Sequence, residues 1–98
     1  MKATAYLHTW KKAAEPTNWH IFDLESEEKI EFEANSLKEA KLHILNNYPA
    51  SKVVGLNVQL ENGDFSMDVV PDCYITEGIA NTFEEMVDYM RRNVENRW

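Results

Sequence analysis

The chain has 98 residues, 44% of them hydrophobic and 28% charged, with a formal net charge of −7. This length predicts a single α+β domain over residues 1–98. The composition excludes a low-complexity chain, the acidic balance argues against direct nucleic-acid binding, and no apolar run reaches the length of a membrane span. A single cysteine, Cys73, and an N-terminus without an apolar leader predict a reducing, cytoplasmic location.

Alternating apolar residues predict three strands in the first third of the chain. These are residues 3–10, 19–24 and 29–34, separated by a loop around Pro16 and by a polar turn at 25–28. The second segment is apolar at both parities, Trp19 and Ile21 as well as Phe22 and Leu24, which indicates a strand buried on both faces.

The first strand carries a row of aromatic residues on one side. Tyr6, His8 and Trp10 alternate along it, and Lys11 and Lys12 follow directly. Aromatic residues interleaved with lysines can stack bases or dock a peptide. Because large aromatic residues usually mark a core, we expect a helix to cover this face.

A first helix is predicted from residue 36 onward. Ser36 and Glu39 form a capping box, and Pro49 ends the run. Leu42 and Leu45 lie beside the apolar stripe of this helix. They predict either an exposed strip for self-association into a homodimer or a helix that is buried more deeply than average, and the sequence leaves both open.

The second half predicts a strand at 53–60, a hairpin turn at 61–64 and a returning strand. Val54, Leu56, Val58 and Leu60 share one face, and Phe65, Met67 and Val69 are expected to point inward, opposite Ser66 and Asp68. Residues 73–76 add a short strand. A second helix begins at Thr82, with Glu85 completing another capping box, and its buried stripe comprises Phe83, Met86, Val87, Met90 and Val94.

Together these elements predict a two-layer antiparallel sheet with two helices on one face, in the order β-β-β-α-β-β-(β)-α. Residues 34–39 match residues 80–85 at a spacing of 46, so an internal duplication is a hypothesis, with half-repeats 1–48 and 52–97. Each half would then be a β-β-β-α unit.

The sequence contains no recognisable catalytic or metal-binding pattern. Cys73 has no basic neighbour in the sequence to activate it as a nucleophile, and the three histidines, at positions 8, 20 and 43, lack metal-ligand spacing. There is no glycine-rich phosphate loop. The prediction is a protein that is not an enzyme and uses no metal or cofactor.

The acidic residues are distributed unevenly along the chain. Between residues 53 and 88 there is no Lys or Arg. One interpretation is a well-solvated surface that keeps the protein dispersed. The alternative is a surface that binds a basic partner protein, such as one that normally binds nucleic acid. The candidate binding residues are Glu61, Asp64, Asp68, Asp72, Glu77, Glu84, Glu85 and Asp88.

Residues 53–97 resemble the small domain of HicB-type antitoxins. The matching pieces are the Gly63 hairpin, Pro71-Asp72 and the Thr82/Glu85 cap. The chain departs from the family where Cys73-Tyr74-Ile75 replaces a Pro-Gly-Cys element. The resemblance implies a partial RNase H-like fold of three strands and a helix without catalytic residues. It is also consistent with an inhibitor, antitoxin-like or of phage anti-defence type, that works by protein contact.

Overall fold

The computed structural model describes residues 1–97. It forms one four-stranded antiparallel sheet and four helices, which confirms the α+β class. The elements are β1 (Lys2–Lys12), β2 (Phe22–Glu33), α1 (Leu37–Asn47), α2 (Ala50–Val53), β3 (Asn57–Leu60), β4 (Phe65–Met67), α3 (Pro71–Thr76) and α4 (Phe83–Arg97). The strand order across the sheet is β2-β1-β3-β4. The observed order is β-β-α-α-β-β-α-α. The predicted order, β-β-β-α-β-β-(β)-α, was therefore wrong in detail.

β2 is one continuous strand where the sequence predicted two strands and a turn. It pairs with β1 along its whole length, and the register shifts between Ser26 opposite Thr9 and Leu24 opposite Trp10. Glu25 is thus an extra residue in β2, a β-bulge. The polar composition of this segment reflects exposure at the sheet edge. Trp19 lies in the β1–β2 loop and is 81% exposed, so its predicted burial was wrong.

The hydrophobic core lies on one face of the sheet. Ala3, Ala5 and Leu7 of β1 are buried there beside Val58 and Leu60 of β3. α1 packs on β3, α2 packs on β1, and α4 packs on both of these helices. The core residues of the helices include Leu37, Ala40, Ile44, Leu45, Met86, Val87, Met90 and Val94.

The two predicted capping boxes are confirmed, and their geometries match. The Glu39 amide donates to Ser36 Oγ at 3.1 Å, and the Glu85 amide donates to Thr82 Oγ1 at 3.2 Å. Each glutamate also accepts a 3.2 Å hydrogen bond from the backbone amide four residues before it. The halves otherwise differ, because two strands rather than three precede α1. The duplication stays a prediction.

The β3–β4 hairpin is confirmed, but the side chains of β4 point to the opposite faces of the sheet from those predicted. The Leu60 amide donates to the Asp64 carbonyl at 2.8 Å, so three residues form the loop, and only Gly63 among them has a positive φ, 98°. Ser66 consequently lies opposite the buried Val58 and shares its face. Phe65 and Met67, together with Val69 just beyond β4, are exposed, so their predicted burial was wrong.

Two further segments differ from the predicted strands. Residues 53–60 begin with the end of α2, and the chain passes through Gly55, with φ of 81°, before β3 starts. The predicted strand at 73–76 belongs to α3, which begins at Pro71; proline is favoured at a first helical position because that amide needs no partner. No helix within residues 1–97 is long and apolar enough to cross a membrane.

Candidate functional site

The sheet face opposite the helices is uncovered. Two rows of paired residues cross it. One runs Lys29, Tyr6, Asn57, Met67, and the other runs Glu31, Thr4, Gln59, Phe65. None of these side chains is buried. The helices thus leave one face of the sheet open, and the apolar residues on this face are concentrated at the β4 end.

Tyr6, Phe65 and Met67 form the apolar centre of this surface, which we call the open-face patch. Phe65 is 64% exposed and Met67 is 68% exposed. The three side chains line a shallow groove of about 310 Å³, whose remaining walls come from β3 and from Glu27. Isolated exposed apolar residues are common on proteins, but a group that shares one groove is a candidate interaction surface.

The charged residues beside the patch largely pair with one another. Lys2 Nζ lies 2.9 Å from Glu31 Oε2, and Lys29 Nζ lies 3.6 Å from Glu31 Oε1. The hydrogen bond from Lys2 holds the pKa of the Glu31 carboxyl below its usual range. The β1–β2 side of the face is therefore close to neutral, with an apolar centre and a polar rim, as binding surfaces usually are.

β4 forms one edge of the sheet and leaves its outer backbone groups unprotected. Asp64 and Asp68 direct backbone hydrogen bonds toward β3. In an antiparallel pair this direction alternates, so the N–H and C=O groups of Phe65 and Met67 point outward. The other edge, β2, is lined with Glu and Lys side chains, which discourage pairing with another chain. β4 is short but carries no such charge at its outward residues.

A partly buried polar network fixes β4 from the core side. Lys41 Nζ of α1 donates to Ser66 Oγ at 3.0 Å. Tyr74 of α3 donates to Asp68 Oδ1 at 2.6 Å, and the Gly55 amide donates to Asp68 Oδ2 at 2.9 Å. Burial raises the pKa of the Asp68 carboxyl and lowers the pKa of Lys41. The hydrogen bonds hold the edge strand in place.

A second groove, the edge groove, runs beside β4 on the side of the helices. It has a volume of about 400 Å³. The exposed Glu77 stands at its rim, together with the apolar Val69 and Ile79. Its lining residues are Lys41, Met67, Asp68, Val69, Tyr74, Glu77, Ile79, Tyr89, Met90 and Asn93. β4 therefore stands between two concave surfaces.

The eight carboxylates predicted to face a partner differ in exposure. Four of them accept hydrogen bonds within the fold, and for two of these, Asp72 and Asp68, burial corrects the sequence-based prediction. Asp72 is buried and accepts from the Ile21 amide at 2.8 Å, and Asp68 belongs to the network under β4. Glu85 caps α4 and Glu61 accepts from the Lys2 amide. Glu61 and Glu85 are nevertheless exposed, as are Asp64, Glu77, Glu84 and Asp88.

The aromatic row of β1 lies on the open face, so the expectation that a helix covers it was wrong. Much of the row is nevertheless occupied within the fold. Trp10 Nε1 donates to the Val54 carbonyl at 2.8 Å. His8 is only 7% exposed, and its Nε2 lies 2.8 Å from Glu27 Oε2. Tyr6 remains available, and Lys11 and Lys12 are exposed at the far end of the strand. This arrangement provides no continuous stacking platform for bases.

The predicted Leu42/Leu45 strip is not a surface. Leu45 is 3% exposed and belongs to the core, while Leu42 is half-buried against it. The sequence left two interpretations open, an exposed strip and a more deeply buried α1. For Leu45 the second is correct. The lone Cys73 is half-buried.

No group of three or more His, Cys, Asp or Glu residues within residues 1–97 could hold a metal ion. No family model, curated protein or solved structure matches the chain. The resemblance of residues 53–97 to HicB-type antitoxins stays a prediction; the structure places two strands and two helices in that segment.

Sequence reasoning missed Phe65 and Met67 as surface residues. The available signal was the hairpin loop. An Asn-Gly turn of two residues would place Phe65 opposite Leu60 and therefore inward, whereas a three-residue loop with glycine at its last position shifts the register by one. A shift of one residue moves every side chain of the strand to the opposite face.

Proposed function

We propose that this protein is a non-catalytic binding protein that holds a basic partner protein at the open-face patch and β4, in the manner of a small inhibitor. The observation that carries this proposal is the exposure of Phe65 and Met67 on a sheet face that no helix of residues 1–97 covers. Two large apolar side chains of this kind, next to a shared groove, provide the buried centre that a protein interface needs.

The charge around β4 supports a basic partner. Asp64 precedes β4 directly and is exposed, and Glu77 stands at the rim of the edge groove. The whole chain has a net charge of −7, which attracts a cationic partner and repels nucleic acid. Carboxylates at the rim of an interface raise the rate of association more than they raise affinity.

A photo-crosslinking experiment tests the location of the site. Benzoylphenylalanine replaces Phe65 in one variant and Trp19, a still more exposed aromatic residue in the β1–β2 loop, in the matched control. The expected result is a crosslinked partner from the native cell through position 65 and none through position 19. Equal crosslinking through both positions would contradict the proposal.

Direct binding of the purified partner then tests the residues. We expect Phe65→Ala and Met67→Ala each to weaken binding by about 10- to 100-fold, the range for apolar residues at an interface centre. Asp64→Lys is expected to slow association at low salt and to have little effect at high salt, because exposed charges are screened. Unchanged affinity in both alanine variants would refute the site. Reversal of Asp68 or Asp72 is uninformative, since these carboxylates are structural.

A further inference from the structure

We infer that the partner joins the sheet as a fifth strand: an extended segment of another protein pairs antiparallel with β4, placing apolar side chains on the open-face patch and a basic side chain opposite Asp64. This inference rests on the proposed function and specifies how the partner is recognised. It follows from three features of β4: its outward backbone groups, its alternating side chains and its flanking charges.

The backbone of β4 is a template of the right geometry. The N–H and C=O groups of Phe65 and Met67 face outward, at the spacing that an antiparallel strand requires. Strand addition uses such groups for affinity and pockets for alternate side chains for specificity. The hydrogen bonds from Lys41 to Ser66 and from Tyr74 to Asp68 hold this template in place before the partner arrives. A preorganised edge reduces the entropy cost of binding.

The two faces of β4 define an alternating recognition pattern. Partner residues opposite Phe65 and Met67 would point to the open face, where cross-strand apolar pairs stabilise a sheet. Partner residues opposite Asp64, Ser66 and Asp68 would point to the other side, toward Leu37 at one end and the edge groove at the other. The preferred segment is therefore apolar at two alternate positions, with Lys or Arg opposite the exposed Asp64.

The net charge of the chain, and the charges on β4 in its central register, argue against a second copy of the chain as the occupant. A two-fold pairing of β4 with itself about Ser66 would place Asp64 directly opposite Asp68 of the second copy. Like charges at directly opposed positions destabilise a sheet, and each copy has a net charge of −7. A basic strand from another protein replaces this repulsion with attraction.

The test uses a defined peptide, acetyl-Lys-Val-Thr-Val-Lys-amide, titrated into the isotope-labelled full chain and followed by the amide shifts of the protein. In the proposed register both valines face the open-face patch and direct their N–H groups to β4, while the threonine N–H points away. We expect shift changes centred on residues 64–68. N-methylation of either valine should abolish binding, and N-methylation of the threonine should leave it nearly unchanged.

A second peptide with Glu in place of both Lys tests the charge requirement. It should bind about tenfold more weakly at low salt, and the difference should shrink as salt is added. Equal binding of the two peptides at low salt overturns the assignment of a basic segment.

The outcomes separate this inference from the proposed function. Peptide binding that needs Phe65 and Met67 but is weakened equally by every N-methyl group overturns strand addition and leaves docking at the patch intact. The absence of shift changes at residues 64–68 up to low-millimolar peptide also overturns strand addition, while crosslinking through position 65 still decides the proposed function. Concentration-dependent shifts at residues 64–68 without peptide would instead identify a second copy as the occupant.

Discussion

Gly55 is the position at which one added methyl group should damage the fold most. Its φ of 81° lies in the left-handed region, where a residue with a side chain costs about 1–2 kcal/mol. A Cβ atom there would also lie 2.8 Å from Trp10 Cζ2. The ring cannot move away freely, because its Nε1 donates to the Val54 carbonyl. Such overpacking costs about 1–3 kcal/mol, so Gly55→Ala should lower the free energy of unfolding by about 2–5 kcal/mol.

Urea unfolding followed by far-ultraviolet circular dichroism measures this loss of stability. Two controls separate the backbone cost from the cost of the contact with the Trp10 ring. Gly63 has a φ of 98° with no atom within 4 Å of an added Cβ, so Gly63→Ala should show the backbone cost alone. The gain from reduced entropy of the unfolded chain is common to both variants and cancels in the comparison. In a Trp10→Leu background, the cost of Gly55→Ala should fall toward that of Gly63→Ala. Equal losses at positions 55 and 63 in the native background would refute the ring contact as the cause.

Three further predictions concern stability. Asp72→Ala should cost about 1–3 kcal/mol, because it removes a buried acceptor and leaves the half-buried Ile21 amide without its partner, whereas Asp88→Ala at an exposed position should change stability by less than about 0.5 kcal/mol. Ser36→Ala and Thr82→Ala should each lower the free energy of unfolding by about 1 kcal/mol, and by similar amounts, since the two caps share one geometry. Because burial raises the folded-state pKa of Asp68 above its unfolded value of about 4, its contribution to stability should be lost as pH rises from about 4 through the folded-state pKa, and Asp68→Asn should lack this loss.

Urea titrations check all three. An Asp72→Ala variant as stable as Asp88→Ala would show that the buried carboxylate is not structural. A cap variant that costs nothing at one helix and about 1 kcal/mol at the other would contradict the equivalence of the caps. For Asp68, the quantity to compare is the difference in the free energy of unfolding between native and variant chains across pH 4–7; a constant difference would refute the raised pKa.

Elements whose signals are local could be predicted from the amino-acid sequence alone. The capping boxes at Ser36 and Thr82 are contacts between residues three or four positions apart, so their spacing alone predicts both helix starts. The periodicity of α4 assigned most of its buried stripe correctly, because that helix buries a single face. The absence of Gly, Pro, Asn and Asp within residues 25–28 was a local signal that β2 continues.

Which surfaces are exposed depended on contacts between distant parts of the chain. β1 has a small-residue side and an aromatic side, and packing placed the helices on Ala3 and Ala5, leaving Tyr6 on the open face. Likewise, the carboxylates of residues 53–88, a segment without Lys or Arg, are divided between the interior and the surface. Contacts with distant parts of the chain, such as that between Asp72 and Ile21, decide which of them are buried. The direction of Phe65 and Met67 depended on one residue of loop length. Sheet register is set by pairing with a distant strand, and the pleat converts that single step into a choice between core and solvent.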